Sequence, residues 1–430
     1  MNKAKLWTRD FLLLWQGQLV SDFGNAIFSV ALGFWAYNVT KNEAAMGMVM
    51  ACFSIPQIVL GPLAGTLADR LNRKWLMIGA DGLRGIIFLL MGALMVFQIF
   101  PFWLIYPLAL LAGSFGAFFS PAMGSALPDL VDRELLTKAN SARSLSTALT
   151  EVVGPSAGGL LFTALKAQGV FLINGITFLY AAVAQIFVRI PKRTAPAVQR
   201  HVLVDMAEGF RYIWHNAGLR SLIAVGAFLN FFAVIGMTLF IPYFDETPWL
   251  GASRYGFVMG AITAGSIVGM LLLSVIKLPA HRRALVFCGA LVAMGVLMVS
   301  IAFLRVYWLM VALAVLAGVC NALVNVLLQT IMQITVVPEN RGKVFGILNT
   351  FMGGLMPIAM MVSGLLGRLI GTHLTIQVAF IATLACAVPA CFGRAFHRFI
   401  NYEPPVETAV AAPVEGALAE EEEIALSAAD

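Results

Sequence analysis

Long apolar runs alternate along the chain with short clusters of charged and turn-forming residues. Each run contains about 20 residues or more, which is the length that an α-helix needs to cross the hydrocarbon core of a bilayer. We therefore predict one membrane-spanning helix for each run and number these helices as spans 1 to 12. The runs cover residues 11–39, 44–67, 75–98, 102–127, 143–165, 169–190, 219–244, 252–276, 283–304, 307–333, 344–369 and 373–395.

The composition indicates the same class of protein. Hydrophobic residues make up 60% of the chain and charged residues 12%, whereas charged residues form about 25% of an ordinary soluble domain. The first run, from Phe11 to Val39, is too long for the core of a signal peptide and has no small-residue cleavage site. The predicted fold class is an all-α membrane protein with twelve transmembrane helices in two six-helix bundles.

The basic residues are distributed unequally between the two sides of the predicted membrane. Most of the 28 Lys and Arg residues lie in loops on the same side as the N-terminus. Because loops rich in Lys and Arg stay in the cytoplasm, we expect both termini to be cytoplasmic. The net charge of +6 is spread over these loops, so it does not indicate a nucleic-acid partner.

The spans fall into two halves with related sequences. Pro155 in span 5 and Pro357 in span 11 are both followed by small residues and a Gly-Leu-Leu segment. Two repeated halves around a midplane site are typical of secondary transporters. The predicted domains are an N-terminal bundle (1–190), a cytoplasmic linker (191–218) with an amphipathic helix at 202–215, a C-terminal bundle (219–398) and a disordered acidic tail (399–430).

No pattern of enzyme or metal chemistry is found in the sequence. The five cysteines lie in apolar runs without the spacing of a metal site or a disulfide framework, and the five histidines lie at or near loops. The chain has no Walker A sequence, so ATP is not expected to be the direct energy source. We expect no catalytic residue, no metal, no cofactor and a monomeric protein.

The loop between spans 2 and 3 carries the most specific motif, Gly65-Thr66-Leu67-Ala68-Asp69-Arg70-Leu71-Asn72-Arg73-Lys74. It resembles the signature loop of the major facilitator superfamily, with Asn72 where that family has Gly. We expect Asn72 to tolerate a left-handed turn and Gly65 to allow close helix packing. The resemblance implies a conformational latch, with Asp69 near Val344–Phe345; an ordinary basic loop is the alternative. The latch residues would be Gly65, Asp69, Arg70, Arg73 and Lys74.

Span 5 contains Gly154-Pro155-Ser156-Ala157-Gly158-Gly159. Pro155 removes a helix hydrogen bond, and Gly154, Gly158 and Gly159 let another helix approach closely. We predict that span 8 packs here through its small residues Ala261, Gly265 and Gly269. The motif resembles the core of the antiporter motif of drug:proton exporters in this superfamily, although generic tight packing would need the same residues.

Three further segments, 120–140, 208–211 and 338–345, resemble the macrolide-efflux and enterobactin-exporter branch of the superfamily. The resemblance implies the major facilitator fold in a bacterial inner membrane. One departure concerns span 4, where exporters of this kind often carry an Arg linked to proton coupling. This chain has Ala112-Gly113-Ser114 in that region, so the resemblance does not supply a coupling residue there.

Four ionisable residues lie at membrane depth, where charge is costly and therefore usually functional. Asp22 and Glu151 lie near the middle of spans 1 and 5 and are candidates for proton coupling or for binding a cationic substrate. The alternative is a carboxyl group that is hydrogen-bonded to neighbouring helices. Asp81 and Arg84 are three residues apart in span 3 and predict a structural ion pair.

Polar side chains also repeat at helical spacing in spans 1 and 10, and such stripes do not face lipid. In the family's architecture these spans line a central cavity. Aromatic residues of span 7 and Met352, Met356 and Met360 of span 11 would supply apolar lining, or simply pack. The candidate polar lining residues are Gln18, Asn25, Ser29, Asn230, Asn321, Asn325 and Gln329, with Gln333 continuing the second stripe.

These observations predict a secondary active transporter. The first interpretation is proton-coupled efflux of amphipathic small molecules, such as macrolides or siderophores, by alternating access. Its partners would be that substrate, protons and the lipid bilayer. The alternatives are a lipid or lysolipid flippase on the same fold and a non-transporting membrane sensor.

Overall fold

A computed structural model describes residues 6–190, 210–276, 278–336, 338–392 and 400–401. Most of the predicted linker and the acidic tail from residue 402 lie outside the described residues. Of the amphipathic helix predicted at 202–215, only residues 210–215 are described, and they are helical.

The described part of the chain is built from α-helices, with two short 3₁₀ turns at Phe102–Leu104 and Arg133–Leu135 and no strand. The all-α prediction is therefore confirmed. The helices are α1 (Arg9–Thr40), α2 (Glu43–Arg70), α3 (Arg73–Val96), α4 (Ile105–Leu130), α5 (Leu136–Ile186), α6 (Ala217–Thr238), α7 (Phe240–Glu246), α8 (Ala252–Val275), α9 (Ala280–Phe303), α10 (Tyr307–Thr335), α11 (Pro338–Ile370) and α12 (Thr372–Phe392).

Eleven segments of the described chain are long and apolar enough to cross a membrane, and the α5 segment contains two of the predicted spans. Its 51 residues would extend about 77 Å at ~1.5 Å per residue, more than twice a bilayer core. At Lys166 the backbone leaves the helical region, with φ 57° and ψ −176°. We call the two arms α5a (136–165) and α5b (167–186). The structure is consistent with twelve crossings.

The contacts of α1 indicate that the two arms of α5 run in opposite directions. Along α5a, later residues meet later residues of α1, so that Gly154 faces Ala26 and Phe162 packs 5.6 Å from Phe34. Along α5b the order reverses, and Phe171 packs on Phe28 whereas Ala181 meets Gly17. Spans 5 and 6 therefore form a hairpin around the break.

Polar residues between the apolar runs start several helices. The side chains of Thr8, Asn42, Asn72 and Asn216 each accept a hydrogen bond from a backbone N–H of the following helical turn, as N-caps do. The expectation that Asn72 forms a left-handed turn is wrong, because its φ is −69°. Asn stands at this position of the loop as the cap of α3, with Oδ1 3.1 Å from the N of Lys74.

The largest apolar cluster runs through both groups of six spans and includes Phe34, Phe171, Phe240 and Met310. The two groups touch most closely at one end of the helices, here called the closed end. At this end α2 packs on α11 so tightly that a methyl group on Gly47 would collide with the carbonyl oxygen of Met360, and α5a packs on α8. The closed-end polar contacts join Tyr37 to Glu246, Lys41 to Asp245, and Thr372 to both Glu43 and Glu246.

The opposite end, which carries Arg9 and Phe392, is called the open end. A methyl group built on Gly61 or Gly65 of α2, or on Gly353 of α11, would meet no atom of the described residues within 4 Å. The close packing expected of Gly65 therefore stays a prediction. Among the described residues, α2 and α11 lie closer together at Gly47 than at Gly61 and Gly65.

The end of the C-terminal bundle lies beyond the predicted boundary at residue 398. Ile400 is fully buried in the apolar cluster that includes Ile213 and Val336. Asn401 accepts a hydrogen bond from the N–H of Ala284 at 2.8 Å. These two residues, which the sequence assigned to the tail, belong to the packed structure.

A pair of truncations tests this boundary. Removing residues 402–430 should leave the melting temperature in detergent unchanged. Removing residues 400–430 should lower the free energy of unfolding by about 2 kcal/mol, because it also exposes the site filled by Ile400. Equal losses of stability in the two truncated chains would contradict this assignment.

Candidate functional site

The two halves meet at the glycine motif of span 5. A methyl group on Gly159 would collide with the carbonyl oxygen of Ala252, and one on Gly256 would collide with that of Pro155. The hydroxyl of Ser156 donates to the carbonyl oxygen of Gly256 at 3.1 Å. Helices α5a and α8 are therefore in backbone contact, which only residues without large side chains permit.

The face of α8 that packs on α5a differs from the predicted one. Ala252, Gly256 and Gly260 face α5a, whereas Gly265 and Gly269 of the predicted stripe lie against the backbone of α10. Both stripes repeat every four residues, so spacing alone could not distinguish them. The opposite edge of the motif packs on α1, where Gly154 meets Ala26 and Gly158 meets Ile27.

The polar face of α1 lies beside this contact. Asp22 accepts a hydrogen bond from Gln18 and interacts electrostatically with the positive charges of Arg84 and Arg143. Arg143, which the sequence placed at the membrane surface, shares a narrow pocket with Asp22 and with Ser146. Asn25 and Ser29 continue the face and are exposed. The predicted α1 stripe thus forms one continuous surface with the carboxylate at its centre.

Glu151 occupies the neighbouring edge of α5a. It precedes Gly154 by three residues and Pro155 by four, so its side chain leaves the helix between the face on α1 and the face on α8. Its carboxylate is exposed and makes no ion pair or hydrogen bond with any residue that the structure describes. Glu151 therefore stands at the junction of the two halves with its charge accessible.

The predicted Asp81–Arg84 ion pair is wrong, because these two described residues form no salt bridge. Asp81 is buried and accepts a hydrogen bond from Gln185 of α5b at 2.7 Å. The guanidinium of Arg84 lies 4.1 Å from the ring centre of Phe178, and Nη2 is 3.5 Å from Oδ1 of Asn25. Both side chains leave α3 on the same face, but each contacts a residue of another helix, so they do not pair with each other.

Arg84 also reaches α4. A methyl group built on Gly116 would lie 3.4 Å from Cζ of Arg84. The sequence of span 4 contains no Arg, yet a guanidinium from α3 lies against this helix and within electrostatic reach of both Asp22 and Asp81. The N-terminal half therefore presents two carboxylates and one arginine in a buried network that connects α1, α3, α4 and α5b.

The C-terminal half contains a cavity of about 490 Å³. Asn321 and Asn325 of α10 are linked, because Nδ2 of Asn325 is 3.1 Å from Oδ1 of Asn321. Gln329 and Asn230 add two exposed amides to the wall. All four predicted C-terminal lining residues are thus brought together in one cavity, whose described lining contains no ionisable side chain.

The apolar lining of this cavity differs from the prediction. Met237, Met294 and Met332 contribute to it from three different helices, beside Phe287 and several leucines and valines. Of the predicted methionines of α11, Met356 and Met360 do not line the cavity, and the side chain of Met352 lies outside the described part. Phe231 and Phe232 pack against a small apolar cluster around Ile235 instead. The methionines were missed because they share no helix and hence no periodic pattern.

The basic end of the loop motif binds within its own half. Arg73 forms a salt bridge with Asp129 of α4 and donates to the carbonyl oxygen of Ser125 at 3.0 Å. Lys74 donates to the carbonyl oxygen of Ile186 at 2.6 Å. The side chains of Asp69, Arg70 and Phe345 lie outside the described part of the structure, whereas Val344 is buried in the apolar cluster that includes Ile213. The motif fixes α3 to α4 and α5b at the open end.

The two halves carry chemically different groups. Asp22, Arg84, Arg143 and Glu151, here called the N-terminal wall, belong to the first half, whereas the cavity inside the second half is lined by amides and apolar side chains. No cluster of potential metal ligands occurs among the described residues. The arrangement is suited to moving charge on one side and to holding an uncharged, amphipathic molecule on the other.

Comparisons with known proteins agree with this architecture. The family model of the Major Facilitator Superfamily matches residues 14–356 and 253–422. Macrolide efflux protein A of Streptococcus pyogenes is 25% identical over 386 residues, covering 87% of this chain and 93% of that protein. The multidrug efflux pump Tap of Mycolicibacterium fortuitum is 27% identical over 403 residues, covering 89% and 95% respectively.

Solved structures share the fold at low sequence identity. A bacterial homolog of the human lysosomal transporter Spinster, in an inward-facing and unoccupied conformation, matches with a TM-score of 0.67 and 14% identity, covering 91% of this chain and 96% of that one. The nucleoside transporter NupG matches with a TM-score of 0.70 and 14% identity, covering 89% and 100%. Fold, family match and relatives agree, and the chain is a multi-pass cell-membrane transporter that belongs to the Major Facilitator Superfamily.

Proposed function

We propose that this transporter exports amphipathic small molecules from the cytoplasm in exchange for protons. The observation that carries the proposal is the difference between the two halves, with ionisable groups on the N-terminal wall and neutral amides in the C-terminal cavity. The relatives named for macrolide efflux and multidrug efflux support export as the direction of transport.

Proton exchange is assigned to the N-terminal wall. Asp22 lies within electrostatic reach of Arg84 and Arg143, so its protonation changes the charge balance of the network at the centre of α1. Glu151 stands at the meeting point of α1, α5a and α8, where a change of charge would be felt by both halves. A protonation site contributes to coupling only if its proton affinity differs between the two facings of the transporter.

Substrate binding is assigned to the C-terminal cavity. Its volume of about 490 Å³ lies in the range of small-molecule sites. Amide groups donate and accept hydrogen bonds, while methionine side chains adapt to varied apolar shapes. A macrolide has the matching chemistry, since it combines ether, ester and hydroxyl oxygens with a large apolar surface. The other candidate class, siderophores, would use the same amides.

The conformation is assigned to the inward-facing stage of alternating access. The closed end would lie outside the cell and the open end in the cytoplasm, in agreement with the distribution of Lys and Arg. The domains 1–190 and 219–398, extended to Asn401, would rock about the α5a–α8 and α2–α11 contacts. The latch loop Gly65–Lys74 would engage when the open end closes.

Transport in everted vesicles tests the proposal. An imposed pH gradient should collapse on addition of substrate, and a panel of macrolides, lipophilic cations and catecholate siderophores would identify the class. Asp22→Asn combined with Glu151→Gln should abolish the response. No response to any compound would contradict drug or siderophore export and would favour a lipid or lysolipid substrate. Retained transport after removal of residues 402–430 would argue against a sensor role for the tail.

Cavity variants separate binding from coupling. Gln329→Leu should raise KM about tenfold for a substrate with hydrogen-bonding oxygens, because one hydrogen bond contributes about 1 kcal/mol and an unpaired polar group on the substrate costs more. The maximal rate of gradient-driven transport should stay within about twofold. Gln333→Leu is the matched control, since Gln333 is exposed one turn further along α10 but does not line the cavity. Equal KM values for the two variants would contradict the assignment of the cavity.

A further inference from the structure

A basic pocket lies at the open end, where the ends of α1, α3 and α5b meet. Its volume is about 390 Å³, and it shares no lining residue with the C-terminal cavity. Three cations and one carboxylate converge on it. The lining residues are Arg9, Asp10, Lys74, Ile186, Phe187 and Arg189.

The described residues of this pocket carry an excess of positive charge, because Asp10 is the one carboxylate among three cations. Arg9, Lys74 and Arg189 take part in no salt bridge among the described residues. Lys74 donates to a carbonyl oxygen, which carries no net charge. The carboxylate of Asp10 accepts the backbone N–H of Arg189 at 3.0 Å. An excess of cations in a concave site between helices is the chemistry that binds an anionic headgroup.

An apolar stripe leads from the pocket along α5b. Ile176, Tyr180, Val183 and Phe187 are 45–59% exposed and recur at the spacing of one helical face. The eleven residue steps from Ile176 to Phe187 cover about 16 Å at ~1.5 Å per residue. This length is close to half of a hydrocarbon core of about 30 Å, so the stripe matches one leaflet of the bilayer.

Exposed tryptophans mark the level of the pocket. Trp75 in the first turn of α3 is 62% exposed, and Trp7 just before α1 is 53% exposed. Tryptophan is enriched where headgroups meet the hydrocarbon region. The exposed tryptophans mark the headgroup level, the cations would hold the phosphate, and the apolar stripe would hold an acyl chain. The three features therefore match successive parts of one phospholipid.

We propose that this pocket binds the phosphodiester headgroup of an anionic phospholipid, with one acyl chain along the α5b stripe. The ligand class is a phospholipid of the leaflet at the open end whose phosphodiester gives the headgroup a net negative charge. A soluble phosphate would use the cations but leave the stripe and the tryptophans without a role. The lipid would join α1, α3 and α5b at the place where Lys74 already bonds to the end of α5b.

Native mass spectrometry of the full-length protein tests the site, with phosphatidylglycerol and phosphatidylcholine as competing probes. The wild type should retain phosphatidylglycerol preferentially. Arg9→Gln combined with Arg189→Gln should lower that retention about 25-fold, at about fivefold for each cation lost. The matched control is Arg211→Gln with Arg282→Gln, which removes two exposed cations that lie outside the pocket and should leave retention unchanged.

Asp10→Asn should change the retention of phosphatidylglycerol in the opposite direction. It removes the negative charge of the pocket while keeping an oxygen that can accept the N–H of Arg189, and it should raise phosphatidylglycerol retention about fivefold. Unchanged retention in the double arginine variant, equal retention of both lipids by the wild type, or displacement of the lipid by millimolar inorganic phosphate would each overturn the proposal. Equal melting temperatures of the variants in lipid-free detergent exclude a loss of folding.

Discussion

Asp22→Asn should reduce pH-driven efflux about tenfold or more, because asparagine cannot exchange a proton and the coupling between two ligands is worth factors of about 5 to 150. Asparagine keeps the size of the side chain and can still accept the hydrogen bond from Gln18. Binding to the amide cavity of the C-terminal half should therefore be preserved. The measurement is the initial rate of substrate accumulation in everted vesicles with an imposed pH gradient.

Two controls accompany this prediction. Asp132→Asn removes an exposed carboxylate that does not belong to the N-terminal wall and should leave the rate unchanged. Exchange of labelled for unlabelled substrate needs no net proton movement, so it should persist in Asp22→Asn. Full pH-driven efflux by both Asp22→Asn and Glu151→Gln would refute the assignment of protons to the N-terminal wall.

Gly159→Ala should impair closure of the closed end. The added methyl group would collide with the carbonyl oxygen of Ala252 and come within 3.0 Å of Cα of Ser253, and backbone atoms cannot move aside cheaply. Overpacking of this kind costs about 1–3 kcal/mol, which shifts the balance between two facings by about 5- to 150-fold. Thr372→Cys, which is buried at the closed end, should react faster with a membrane-impermeant maleimide when Gly159→Ala is also present.

Gly289→Ala is the matched control for this experiment. A methyl group there would meet no described atom within 4 Å, and alanine favours a helix over glycine by about 1 kcal/mol. The control should leave both transport and the labelling of Thr372→Cys unchanged. Equal labelling rates in the two backgrounds would show that the α5a–α8 contact does not hold the closed end shut.

Helices and their order could be predicted from the sequence because the bilayer imposes a simple rule of length and apolarity. Spans 8 and 10, predicted at 252–276 and 307–333, are observed at Ala252–Val275 and Tyr307–Thr335. Span 5 was predicted from residue 143, yet its helix begins at Leu136. Polar residues before Arg143 continue the helix beyond the apolar run, and hydropathy alone does not register them.

Contacts between helices could be predicted only in part. Periodicity correctly placed Asn321, Asn325 and Gln329 on one face, because four-residue spacing fixes the face of a single helix. It could not choose between the two small-residue stripes of α8, since both satisfy the same spacing. The partners of Asp81 and Arg84 lie about a hundred residues away, at Gln185 and Phe178, and follow from the packing of α3 on α5b.

Purified protein in liposomes provides the most direct test of proton-coupled export. A substrate gradient is imposed across the membrane with no initial pH gradient, and the internal pH is followed with a trapped dye. Wild-type protein should move protons against the direction of substrate flow, and Asp22→Asn combined with Glu151→Gln should carry no protons. Substrate movement by the wild type without any proton movement would contradict the account, since the N-terminal wall would then have no part in transport.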